Sequence, residues 1–152
     1  MPPDRDQTYH RGVDCRTLVQ QLADRDQRLD AMRALVGGVT ATELRRAKVD
    51  NETLAALTAG VSDSSPQVRW WSIQLLDHLD DPRAVTAIAG ALADPVPRVR
   101  RVAAHALGCV ACKPAWDGAL PDGLTERLAR MAVEDSNAKV RAAALLACSV
   151  RR

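Results

Sequence analysis

Residues Asp94-Pro-Val-Pro97-Arg-Val99-Arg100 decide how the chain is to be read, because the same punctuation occurs twice more. Asp63-Ser-Ser-Pro66-Gln-Val68-Arg69 precedes it and Asp135-Ser-Asn-Ala138-Lys-Val140-Arg141 follows it. The shared form is D-x-x-[P/A]-x-V-R, and an apolar pattern of helical period comes after each copy. Thirteen residues upstream of each Asp stands another, at Asp50, Asp81 and Asp122. Two residues upstream stands an apolar side chain, at Val61, Leu92 and Val133.

Each position has a physical task. Asp50, Asp81 and Asp122 suit N-caps, their carboxylates accepting from the orphan backbone N–H groups of a first helix. Pro82 then falls at the first helical position, where a missing N–H is harmless. Asp63, Asp94 and Asp135 open the turn into a second helix, with Pro66 and Pro97 early in it. The unit is a helical hairpin with a short first helix and a longer second one.

The first two units are 31 residues apart and the last two 41. The extra length lies in Cys112-Lys-Pro-Ala-Trp-Asp-Gly-Ala-Leu-Pro-Asp122, whose Pro, Gly and Asp content marks a loop. Upstream, residues 14–49 read as a degenerate unit with helices near 15–23 and 27–36, closed by Gly37-Gly38. Thr40-Ala-Thr-Glu43 has the form of a capping box and predicts a short helix over 41–48. The expected organisation is a frayed N-terminus over 1–12 and a single helical domain over 13–152. Within it lie the degenerate unit 14–49, repeats 50–79, 81–112 and 122–150, and a loop insertion over 112–121.

Composition agrees with an all-α fold. The chain has 152 residues, 47% hydrophobic and 26% charged, yet only 3% aromatic and no Phe. A core built from Ala, Leu and Val lets helices approach closely. A formal net charge of +2 supplies no global field that would by itself imply nucleic acid or an anionic membrane. No apolar run approaches the ~20 residues that span a bilayer. Four unevenly spaced cysteines do not read as a disulfide framework, so a reducing cytoplasm is the expected compartment.

With the D-x-x-P-x-V-R turn and the segment Val99-Arg-Arg-Val-Ala-Ala-His-Ala-Leu-Gly108, the chain resembles the HEAT repeats. The repeat length is similar to that of short bacterial HEAT-like repeats, including those of phycobilisome lyases. The resemblance covers residues 50–150 well and 14–49 poorly. It implies a right-handed α-α superhelix, a HEAT/armadillo-like solenoid whose second helices line a concave surface that holds other macromolecules. The residues lead the same way, since helical hairpins that cannot bury an apolar face alone must stack on their neighbours.

Alignment of the second helices on Val68, Val99 and Val140 sorts the remaining candidates. Val99, Val102, Ala103, Ala106, Leu107 and Val110 form one apolar stripe, and Cys148 aligns with Leu107 inside it. At ~100° per residue, His105, Cys109 and Cys112 cluster on a different face. One imidazole and two thiolates so placed suit zinc, with His78 or Asp117 as the fourth ligand. The same residues also suit local packing, loop anchoring or, as a C-x-x-C pair, redox chemistry. Arg69, Arg100 and Arg141 recur at one position, and are expected to pair with the turn Asp of the same or the next unit. A phosphate-binding row is the competing reading.

Trp70, Gln74, His78, Arg101 and His105 form the expected partner-binding face, with Trp70 either anchoring a partner or covered by the N-terminal helices. Enzymes are not expected. The HEAT-like hydroxylases hold iron with His-Glu pairs, whereas here His78 precedes Leu79 and His105 precedes Ala106. Trp70 with Asp77 is only a thin echo of the HEAT-type DNA glycosylases, without their basic charge. The function expected is a cytoplasmic protein-binding scaffold or adaptor without a cofactor. The alternatives are a nucleic-acid-binding or base-processing protein of the glycosylase type, and an accessory subunit of an enzyme such as a lyase.

Overall fold

The computed structural model describes residues 13–37, 49–109, 113, 116 and 120–150. Among them are eight α-helices and no strand. The helices are α1 (Cys15–Gln21), α2 (Arg28–Leu35), α3 (Asn51–Gly60), α4 (Pro66–Leu79), α5 (Val85–Gly90), α6 (Pro97–Gly108), α7 (Leu124–Glu134) and α8 (Ala138–Val150). Successive pairs stack as an α-solenoid: α3 packs on α4 and α7 on α8, and the second helices pack in the order α4, α6, α8. The helix expected over 41–48 lies outside the described residues, as does most of the insertion.

The capping residues explain where the elements begin. Asp50 accepts from the Thr53 N–H at 2.7 Å and starts α3, and Asp14 does the same for α1 through Thr17. Asp81 caps a single 3-10 turn, Pro82–Ala84, by accepting from the Arg83 N–H before α5 begins. Asp122 departs from the expectation. The N-cap of α7 is Gly123, held at φ +72°, and Asp122 stands one residue further out in the turn. With no side chain, Gly123 adopts that left-handed backbone without steric penalty, which moves the helix start past the carboxylate.

The turn Asp residues behave alike in all units. Oδ1 of Asp63, Asp94 and Asp135 accepts from the N–H two residues on, at Ser65, Val96 and Asn137, at 2.7, 2.8 and 2.9 Å. Asp24, in the degenerate unit, makes the same bond to the Asp26 N–H at 2.8 Å. This side-chain turn reverses the chain between helices. Pro66 and Pro97 then sit at the first positions of α4 and α6.

One continuous core runs through the stack, from Leu18, Val19 and Leu22 through Leu57, Ile73, Leu76 and Ile88 to Val99, Leu107, Leu128 and Ala144. Close helix approach depends on small residues. A Cβ on Gly108 of α6 would stand 2.6 Å from both Cα and Cβ of Ala147 on α8, well inside van der Waals contact. The missing side chain at Gly108 therefore lets α6 and α8 approach closely at this crossing.

Candidate functional site: the concave groove and the clamp beside it

The second helices α4, α6 and α8 line an open groove of about 640 Å³. Trp70 and Gln74 come from α4, Arg101 and His105 from α6, and Lys139, Leu146 and Val150 from α8. Four of the five residues expected on the partner-binding face therefore stand together. His78, half-buried one residue before the end of α4, is not among the lining residues. No Asp or Glu lines the groove among the described residues, while Arg101 and Lys139 do. Arg98 lies over the Trp70 ring, 4.0 Å from its centroid, adding a third cation at that end. The other end is apolar, with Leu146 and Val150 exposed on α8.

The two adjacent tryptophans have different surroundings. Their rings meet edge to face at 4.7 Å. Trp71 turns toward the N-terminal unit, where the Arg28 guanidinium lies 5.3 Å from its ring centroid. Trp70 faces the groove instead.

At the turn edge of the stack, arginines join the units. Arg69 donates through Nε and Nη2 to both carboxylate oxygens of Asp94, at 2.6 and 3.0 Å. Arg100 grips Asp135 in the same way at 2.8 and 2.9 Å. Each guanidinium also donates through Nη1 to the backbone of its own turn, Arg69 to the Asp63 carbonyl and Arg100 to that of Asp94. The ladder thus runs from the Arg of one unit to the Asp of the next. Burial alone pushes the Asp94 carboxyl up, but the Arg69 and Val96 donors outweigh it and hold it below the usual carboxylate range. The Arg100 bonds hold Asp135 low against a smaller opposing effect of burial. Arg69 and Arg100 are raised by the same bonds.

At the opposite ends of the second helices the structure shows a feature that the sequence reading did not identify. Lys113, from the insertion, is 1% exposed, and its ammonium pairs with Asp77 of α4. It also donates to the Ala106 carbonyl of α6 at 2.8 Å and lies 4.8 Å from the ring centroid of buried Trp116. An ammonium is favoured here, since the last carbonyls of α4 and α6 carry the negative ends of their helix dipoles. The signal available in the sequence was Asp77 itself. It stands one helical turn after buried Ile73, where a lone carboxylate requires a cation. His105 Nε2 is 3.9 Å from the other Asp77 oxygen, at the exposed rim.

Of the expected metal ligands, His78, His105 and Cys109 lie among the described residues. Helix α6 ends at Gly108, and Cys109 is its C-cap with φ −81° and ψ 63°. Cys112 and Asp117 lie outside the described residues. Among the described residues no group of three His, Cys, Asp or Glu could hold one metal ion. Cys148 is half-buried against the core, as its alignment with Leu107 implies. Among the described residues no helix is long and apolar enough to cross a membrane.

Stacked helical hairpins, a ladder across their turns and a concave face built from second helices define an α-solenoid. The family of HEAT repeats matches residues 15–108, and the chain belongs to that family. Human deoxyhypusine hydroxylase, solved in complex with glycerol, is similar in structure with a TM-score of 0.59 and 26% identity. The match covers 90% of this chain and 43% of that one. An engineered protein is also similar, with a TM-score of 0.59, 18% identity, and coverage of 90% and 61%. The chain thus spans about two fifths of the hydroxylase and three fifths of the engineered protein. No curated protein matches it.

Proposed function

We propose that the protein is a non-catalytic cytoplasmic scaffold that holds an acidic, partly apolar segment of another protein in its concave groove. The observation that carries this reading is the lining of the groove. Arg101 and Lys139 stand at one end, with Arg98 over Trp70, Leu146 and Val150 lie exposed at the other, and no carboxylate stands among the described lining residues. Such a surface attracts carboxylates and offers apolar area to bury. The half-buried indole of Trp70 supplies the kind of anchor that dominates such contacts. The likeness to deoxyhypusine hydroxylase leaves the adaptor reading standing, because no histidine of this chain is followed by Glu. The repeat length shared with short bacterial HEAT-like proteins fits an accessory role of the same kind.

The test is selection of a displayed peptide library against the wild-type chain and against Arg101→Glu and Leu146→Asp. Acidic segments with apolar positions should be enriched by the wild type and lost from both variants. Enrichment without charge bias would overturn the reading. So would tight, salt-dependent binding of short DNA duplexes that Arg101→Glu abolishes, which would favour a nucleic-acid-binding protein.

A further inference from the structure

In the fourth unit, positions that are buried in units two and three are exposed among the described residues. On α4 and α6 the residues four beyond the ladder arginines are Ile73 and Ala104, both fully buried. The corresponding residue on α8 is Leu145, 61% exposed. Val61 and Leu92, two residues before the turn Asp, are buried, while Val133 at that position is 79% exposed. The ladder shows the same break. Arg141 holds its own turn through Nη1 on the Asp135 carbonyl at 2.8 Å, as Arg69 and Arg100 hold theirs. Its Nε and Nη2, which in those two residues grip the next unit's carboxylate, have no partner among the described residues.

The other end of the stack carries the complementary group. Asp24 makes the same side-chain turn as Asp63, Asp94 and Asp135. It has no cationic partner among the described residues, and its Oδ2 accepts only from the Gln27 side-chain amide at 3.1 Å. Among the described residues, every large apolar side chain that is exposed belongs to the first or the last unit. These are Val13 and Leu29 in the first, and Val133, Leu145, Leu146 and Val150 in the last.

We propose that the face formed by Arg141, Leu145 and Val133 docks the first unit of a second copy of this chain, head to tail, with Arg141 gripping Asp24 of that copy. Guanidinium meets carboxylate in the geometry already used twice within the chain, and Leu145 and Val133 are brought against the exposed apolar side chains Val13 and Leu29 of the other copy. Because the two faces differ, the contact is heterologous and propagates into longer arrays or closes into a ring. The surface is separate from the concave groove, so either reading can fail alone.

Sedimentation and light scattering over a wide range of concentration test this. The mass of the wild-type chain should rise with concentration above the 16.4 kDa monomer. Arg141→Asp, Asp24→Arg and Leu145→Asp should each weaken association by about tenfold or more. Leu145→Asp, at a side chain 61% exposed, should leave helical circular dichroism and melting temperature unchanged, whereas Asp24→Arg and Arg141→Asp each lose a turn hydrogen bond, so their effect on association is read from the mixing arm. The decisive arm mixes Arg141→Asp with Asp24→Arg. Each repels its own copies, but together they alternate acid and base at every junction, so association returns. A wild-type chain that stays monomeric at all concentrations overturns the proposal. Association that survives the single variants, or that mixing does not restore, overturns it equally.

Discussion

The ammonium of Lys113, in the loop between two repeats, closes on the carboxylate of Asp77 at the end of α4, and both side chains are buried. Neither charge has water to fall back on. Lys113→Met therefore leaves Asp77 buried with only His105 nearby, 3.9 Å away at the rim, and should destabilise the fold by about 3–5 kcal/mol. The double variant Asp77→Leu/Lys113→Met should lose much less than the sum of the single changes. Urea unfolding of the four proteins closes the cycle, and strict additivity would show that the two groups do not interact.

The ladder predicts how stability depends on acid. Asp94 and Asp135 titrate below the usual carboxylate range in the folded chain. Their contribution is therefore fully present above the unfolded value of about 3.9 and is lost as pH falls through the folded values. Asp135→Asn should cost about 2 kcal/mol at neutral pH and flatten the acid limb of the stability curve. Denaturant melts between neutral pH and strong acid check both effects, and an unchanged acid limb would contradict the arrangement.

Much of this architecture was legible because it is periodic. The D-x-x-[P/A]-x-V-R spacing gave the helical hairpins and their order, and the recurrence of Arg69 and Arg100 gave the ladder. Two kinds of feature were not legible. Asp122 looks like Asp50 and Asp81, but the left-handed Gly123 shifts the helix start by one residue, which a carboxylate's position cannot reveal. Lys113 and Trp116 lie in the one aperiodic stretch, where no alignment between units gives a direction. The sequence around Lys113 carries no periodic signal that distinguishes it from a surface lysine. Trp70, Gln74, Arg101 and His105 were legible as a group because α4 and α6 keep the same phase.

The close crossing at Gly108 makes a steric prediction. Its absent Cβ would meet the Cα and Cβ of Ala147 at 2.6 Å, and that contact is with backbone on a packed helix. Gly108→Ala should force α6 and α8 apart and destabilise the chain by about 1–3 kcal/mol. Thermal unfolding measures the loss, and Gly108→Ala should also broaden amide signals from α8 more than those from α1.

At the groove, Arg101 and Leu146 are exposed, so changes there act on binding rather than folding. Arg101→Glu and Leu146→Asp should each weaken a selected acidic peptide about tenfold or more with melting temperature unchanged. Raising the salt concentration should reduce the effect of Arg101→Glu and leave that of Leu146→Asp intact. Titration calorimetry at two ionic strengths separates them.

The buried Lys113–Asp77 pair is a fastening that needs no metal, and a chain held in this way is indifferent to chelators. Melting temperature should not change on treatment with a strong zinc chelator, nor on replacement of Cys109 by Ser. A fall that added zinc reverses would instead assign His105, Cys109, Cys112 and His78 to a structural metal site.

Units two and three are fastened at both ends of their second helices, by Arg69 on Asp94 at one end and by Lys113 across Asp77 and Ala106 at the other. Two fasteners so far apart leave α4 and α6 free neither to splay nor to twist against each other. The pair is a rigid plate, and Trp70, Gln74, Arg101 and His105 are mounted on it at fixed separations. Flexing of the superhelix is then confined to the seams on either side of that plate, so these four side chains keep their spacing while curvature changes around them.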